Sequence, residues 1–241
     1  YAMTLMYMHR YDEARHAAMK ARELNADSYW GKTSLAKIGL QESGDVQTAL
    51  QLSIGAQHSD DFEFVELFIR VRMFARQFDE ALEEARNLSD ELEVQLNTIT
   101  LREDWAAQIL YFMGRQDEAR QAADAALFRL RGLHAKLGDN HRFDLAKARV
   151  NAIRGASKEE VRELLQNSMS SRPADDLTAF QFELEYARIF SIAGMTTEAI
   201  EILESILVPP SNTTVYTIDL DPAFDGVRDD PEFLAMMERH R

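Results

Sequence analysis

The residues able to do chemistry are few, and their spacing serves no reaction well. Six histidines occur, His9, His16, His58, His134, His141 and His240. His9 and His16, like His134 and His141, stand seven apart, a spacing that puts two side chains on one helix face. No acid completes a zinc spacing of the His-Glu-x-x-His kind, so these read as surface histidines. The acid pairs Asp60–Asp61 and Asp175–Asp176 each precede an apolar-periodic segment, where N-capping explains them better than catalysis. Gly-rich phosphate loops and a G-x-S-x-G elbow are missing. With no cysteine in the chain, thiol nucleophiles, disulfides and thiolate metal sites are excluded. No catalytic residue, cofactor or metal is expected. The triplets at Asn87 and Asn212 match glycosylation acceptors, but such triplets are frequent by chance.

Near the end of the chain "LDPAFDGVRDDPEF", Leu220 to Phe233, holds four aspartates, one glutamate and two Asp-Pro pairs. An EF-hand loop needs oxygen ligands at positions 1, 3 and 5, Gly at 6 and Glu at 12. Counted from Asp219, Ala223 takes position 5, Phe224 takes 6, Gly226 comes two residues late and Asp230 replaces the Glu. Two short helices account for the residues better. Asp221 and Asp230 precede Pro222 and Pro231, which suit first helical positions. Phe224, Phe233, Leu234 and Met237 are expected to form their apolar face, with the acids turned to water.

The elements that would have to position any site are helical. Hydrophobic residues make up 46 %, Gly and Pro number 10 and 5, and helix-favouring Ala, Leu, Glu, Arg and Gln are plentiful. The one short strand candidate is "TTVYTI" near residue 215. A net charge of −14 argues against nucleic acid and against anionic membrane surfaces. No apolar run approaches the roughly 20 residues of a membrane span.

A phrase recurs along the chain: "RYDEARHAAMKA", "GDVQTALQLSIGA", "RQFDEALEEARNL", "GRQDEARQAADAAL" and "GMTTEAIEILESIL", with a weaker "GASKEEVRELLQNSM". Each has a turn residue, an acidic stretch, then a small residue opening an apolar i, i+3, i+4, i+7 stripe. The small residues are Ala14, Ala49, Ala81, Ala119 and Ala199, with Glu160 or Val161 in the weak copy, at spacings of 35, 32, 38, about 41 and about 39. Each phrase reads as a tight turn followed by the second helix of a hairpin. Ala stands where two helices cross closely, Gly44, Gly114 and Gly194 close the preceding helix in a left-handed conformation, and the acids fall in the first turn of the next. Apolar-periodic first helices such as "WGKTSLAKIGLQES" and "LREDWAAQILYFM" lie upstream. The irregular "LRGLHAKLGDNHRFD" (130–144) implies extended helices or a bend.

The chain therefore resembles a tetratricopeptide (TPR) array, whose repeat is about 34 residues of helix–turn–helix. The "DEA" phrase with a small residue seven positions on, as in Ala14 with Ala21 and Ala119 with Ala126, carries the match over about 200 residues. Lys37 and Ile69 stand where the family expects a small residue, and most repeat-closing prolines are missing. The resemblance implies an all-α, right-handed superhelix of about six hairpins at 1–208, with a capping segment at 209–241. The tail, with Asp221-Pro222, Arg228, Asp230-Pro231, Phe233 and Leu234, is similar to the closing segment of TPR regions in bacterial signalling proteins. Those include adenylate cyclases, winged-helix regulators and serine/threonine kinases. That similarity implies a fused output domain elsewhere in the polypeptide, and the start at Tyr1 without an initiator Met is read as a cut from something longer.

Stacked hairpins create an extended concave face lined by first helices. Counting back from the small residue, a consistent position on that face falls on Ile38, Arg70, Gln108, Arg149 and Arg188, with Glu66 and Asp104 one turn earlier and Tyr111 and Arg142 nearby. Arginine forks suit carboxylates, so an acidic peptide or partner loop is the expected ligand. The alternative is that these arginines pair with neighbouring acids between repeats. Met73, Phe74, Tyr111, Phe112 and Met113 read as packing between hairpins. The expected function is a non-catalytic protein–protein interaction module, the regulatory part of a larger signalling protein. The competing reading is a helical accessory that binds a small ligand or supports an enzyme. Cytoplasmic placement is expected, or periplasmic behind a membrane helix.

Overall fold

A computed structural model describes residues 1–25, 29–54, 62–88, 99, 101–138, 140–172 and 179–241. Asp60–Asp61, Asp175–Asp176 and His58 lie outside them. The described residues form fourteen α-helices and one 3-10 helix, as the composition predicts. The helices are α1 (Ala2–Tyr7), α2 (Tyr11–Leu24), α3 (Tyr29–Ser43), α4 (Val46–Leu52), α5 (Phe62–Phe74), α6 (Phe78–Arg86) and α7 (Arg102–Phe112). They continue as α8 (Gln116–Leu137), α9 (His141–Arg154), α10 (Lys158–Ser171), α11 (Ala179–Ile192), α12 (Thr196–Ile206), α13 (Val215–Leu220) and α14 (Pro231–Arg239).

The six phrases coincide with six turns of one kind. The turn residue is left-handed in each: His9, Gly44, Arg76, Gly114, Gly155 and Gly194, with φ between 55° and 80°. Five of the turns make the same pair of backbone bonds, as in Gly114 N–H to the Tyr111 carbonyl and Arg115 N–H to that of Leu110. That pairing satisfies the carbonyls left over at a helix C-terminus. The Gly44 turn reaches one residue further back at each bond. His9 and Arg76 accept the left-handed conformation although they carry a Cβ.

Ala14, Ala49, Ala81, Ala119 and Ala199, each five residues past its turn, are fully buried. In the weak copy Glu160 is exposed and Val161 is buried. The reason is one extra residue. Helix α10 starts three residues after its left-handed glycine where the other second helices start two after theirs. Ser157 fills the longer turn and accepts the N–H of Glu160 at 3.2 Å. A second buried row follows one helical turn on: Ala18, Ser53, Ala85, Ala123, Leu165 and Leu203. This spacing, not the seven-residue one, is the constant feature, since Ala126 is buried and Ala21 exposed.

The chain divides into two compact units. One holds residues 1–77, 204–222 and 231–241, the other 78–203 and 223–230. In the first, α1 packs on α2, α2 on α3 and α3 on α4, and the first helices also meet, α1 on α3 and α3 on α5. "TTVYTI" is helical: Thr214 and Thr217 form a reciprocal capping box that starts α13, and the Thr214 hydroxyl donates to the Gln41 carbonyl at 2.8 Å. The Ser211 N–H donates to the Tyr7 carbonyl at 2.9 Å. Along α14, Phe233, Met236 and Met237 are buried and Leu234 is exposed, because an i, i+3, i+4 stripe skips Leu234.

In the second unit α7 packs on α8, α8 on α9 and α9 on α10, and again first helices meet, α7 on α9 and α9 on α11. Leu145, Ala148, Val161, Leu165, Tyr186, Ile189 and Ala199 belong to one continuous apolar cluster. The irregular 130–144 stretch is a lengthened α8 of 22 residues closed at Gly138, followed by α9 capped by Asn140. His134 and His141 therefore sit on different helices, beside the rings of Phe143 and Phe182. Phe224, in the short 3-10 helix Pro222–Val227, is buried. Asp221, expected to face water, is buried.

Candidate functional site

The first helices of the second unit carry one linked set of charged side chains. Helix α7 places Asp104 and Gln108 one turn apart, α9 contributes Arg149, and α11 contributes Glu185 and Arg188. Asp104 is 1 % exposed and Arg149 3 %. The Arg149 Nε donates to Asp104 Oδ1 and Oδ2 at 3.1 and 3.0 Å, and its Nη2 to Oδ2 at 2.5 Å. Nη2 also donates to the Ile99 carbonyl at 3.0 Å, while Nη1 donates to Glu185 Oε2 at 3.2 Å. Gln108 Nε2 donates to Asp104 Oδ1 at 3.1 Å. Arg188 Nη1 pairs with Glu185 Oε1.

Two cations and two anions thus alternate from α7 to α11 with no net charge. Burial pushes the Asp104 carboxyl up, and the Arg149 guanidinium and the Gln108 amide pull it back. Burying an ion costs several kcal/mol before pairing, so this set is tolerable only because every fork nitrogen of Arg149 has an acceptor.

The predicted positions separate accordingly. The row through Gln108, Arg149 and Arg188 does run across neighbouring first helices, as counted, but Arg149 is a buried tie rather than an open arginine. It joins an acid of the preceding hairpin to an acid of the following one, the internal-pairing alternative. Arg188 is partly buried beside Glu185. Tyr111 donates its hydroxyl to the Ile192 carbonyl at 3.3 Å, and burial raises its pKa. Arg142 is half-buried at the start of α9, its Nε donating to Asn140 Oδ1 at 3.1 Å. In the first unit Arg70 Nη2 donates to Glu66 at 3.0 Å along α5, and Ile38 is core. Of the aromatic and Met set, Met73 is core and the others are half-buried. Glu185 was not singled out from sequence. Its signal is the three-residue spacing to Arg188 on one helix.

Among the described residues no three His, Cys, Asp or Glu side chains gather as a metal site. No described helix is long and apolar enough to cross a membrane. No family model matches the sequence, and no curated protein and no solved structure matches it.

Proposed function

We propose that this chain is a tetratricopeptide-like interaction module that binds protein and performs no catalysis itself. Its six hairpins stack into a right-handed superhelix, with the segment from residue 209 as its cap. It serves as the regulatory part of a larger bacterial signalling or transcription-regulating polypeptide, with the output domain in cis.

The observation that supports this reading is the sixfold recurrence of a left-handed turn, with a buried alanine five positions on in five copies and the buried Val161 six positions on in the other. Within each unit first helices also pack on first helices, the arrangement that lines a common face. Taken by itself, the second unit offers the half-buried Tyr111 and Arg142 to a partner and the first offers Arg70 and Glu66, and an acidic peptide is the chemistry the arginines fit.

Calorimetric titration with a synthetic extended Asp/Glu-rich peptide tests this. Saturable binding is expected, weakened at least about tenfold in R70E/R142E while the far-ultraviolet circular dichroism stays unchanged. Affinity indifferent to both reversals overturns the binding face.

A further inference from the structure

Five of the left-handed turns close with the same backbone bond, and the carbonyls that accept it belong to Leu5, Arg72, Leu110, Asn151 and Phe190. Leu5, Leu110 and Phe190 are buried apolar residues. Asn151 is also buried, and its amide is satisfied by Glu160 and Arg154. Arg72, in the last turn of α5, departs from them: it is charged and half-buried where its counterparts are core.

The contacts of Arg72 leave one edge of its fork without an acceptor. The guanidinium lies 4.5 Å from the centroid of the Phe68 ring, within cation–π range. Nη1 donates to Gln77 Oε1 at 2.9 Å. Nε is shut off from water and has no acceptor, and Nη2 makes no hydrogen bond to a described residue. No described carboxylate pairs with this side chain. Arg15, Arg70, Arg129 and Arg162 are half-buried too, and each has a carboxylate, from Glu42, Glu66, Glu103 and Glu198. A cation in a core position with no counter-ion breaks the local pattern without a gain in stability, which marks a position kept for binding.

We infer that Arg72 anchors the acidic partner, with an Asp or Glu carboxylate of the bound peptide lying along the Nε–Nη2 edge. Two parallel N–H groups on one planar edge match the two oxygens of a carboxylate. Phe68 and Gln77 hold that edge in place. Arg72 stands two residues from Arg70, so it projects to nearly the opposite side of α5. The contact is therefore separate from the Arg70–Glu66 pair and brings the partner round the C-terminal end of α5. The inference rests on the interaction reading above and adds a specific contact to it.

Calorimetric titration of R72L with the Asp/Glu-rich peptide, beside urea denaturation of the same protein, tests this. Leucine is the residue at the sister positions Leu5 and Leu110. Affinity at least about fivefold weaker is expected, with an unchanged or raised urea midpoint. R72K keeps the charge but loses the planar edge, and a loss of at least about threefold is expected. In the ¹⁵N-labelled wild type, the Arg72 Nε–H signal, identified by its absence from R72K, is expected to move along the saturation curve of the backbone amides. A stationary signal overturns the inference, as does wild-type affinity in both variants. A lowered urea midpoint without loss of affinity makes Arg72 a packing residue and overturns it too. R70E/R142E separates the failures: weakened binding there with wild-type affinity in R72L leaves the interaction reading standing without the Arg72 contact.

Discussion

Arg149 and Asp104, 45 residues apart in sequence, form a two-pronged ion pair in the interior of the second unit. The pair ties α9 to α7, and the remaining arm of the fork ties α9 to Glu185 on α11. One side chain thus fixes the relation of three successive first helices.

Removing one partner leaves a buried charge without its counter-ion. D104L and R149M are each expected to destabilise the protein by about 3–5 kcal/mol. The double replacement D104L/R149M is expected to lie much nearer the wild type, because an apolar pair of similar volume has no desolvation to offset. Urea denaturation of the four proteins measures the coupling, and additive losses contradict the pair's role.

The shifted register in the fifth hairpin has its own test. A119L overpacks a fully buried crossing and is expected to cost about 1–3 kcal/mol. E160A, the same count from its turn glycine, is expected to cost only about 0.5–1 kcal/mol, the loss of the bond its carboxylate accepts from Asn151 Nδ2 at 3.2 Å, because Val161 holds the buried place. Thermal melts of the two variants decide it. An equal loss in both returns the anchor to Glu160.

Gly114 isolates the backbone contribution of a turn. A Cβ there would meet nothing within 4 Å, and φ is +74°. G114A is expected to cost about 1–2 kcal/mol from the left-handed conformation alone, read as a lowered urea midpoint. No change would mean the turn is not held at that φ in solution.

His9 makes the first unit sensitive to mild acid. Burial lowers its pKa, against a hydrogen bond to the Ser211 backbone that raises it. The unfolded chain therefore takes up a proton near pH 6.5, before the folded one does. The stability this neutral imidazole contributes is complete above that pH and is lost as pH falls from there through the folded pKa. The melting temperature is expected to drop between pH 7.5 and 5.5, and the drop is expected to shrink in H9N. An equal drop in the variant assigns it to another group.

Much of the local structure was legible because it repeats. Left-handed turns and buried residues five or six positions on recur, and first-turn acids stand in every second helix but α4, where Asp45 is the N-cap instead, so each copy supports the others. What escaped was what a count cannot carry. His9 and Arg76 hold left-handed turns without glycine, and a single inserted residue moved the anchor from Glu160 to Val161. Thr214 and Thr217 outweighed the β-branched appearance of "TTVYTI" through their capping bonds. The row of Gln108, Arg149 and Arg188 was found by periodicity, which gives direction along a helix but not depth. Depth came from Asp104 and Glu185, on helices distant in sequence.

The central claim is that first helices present the binding face. It is tested most directly by mapping amide chemical-shift changes in the ¹⁵N-labelled protein on adding the acidic peptide. The shifts are predicted to concentrate on first helices, around Arg70 on α5 and around Tyr111 and Arg142 on α7 and α9, with second helices silent. Shifts confined to second helices, or none at saturating peptide, would contradict it.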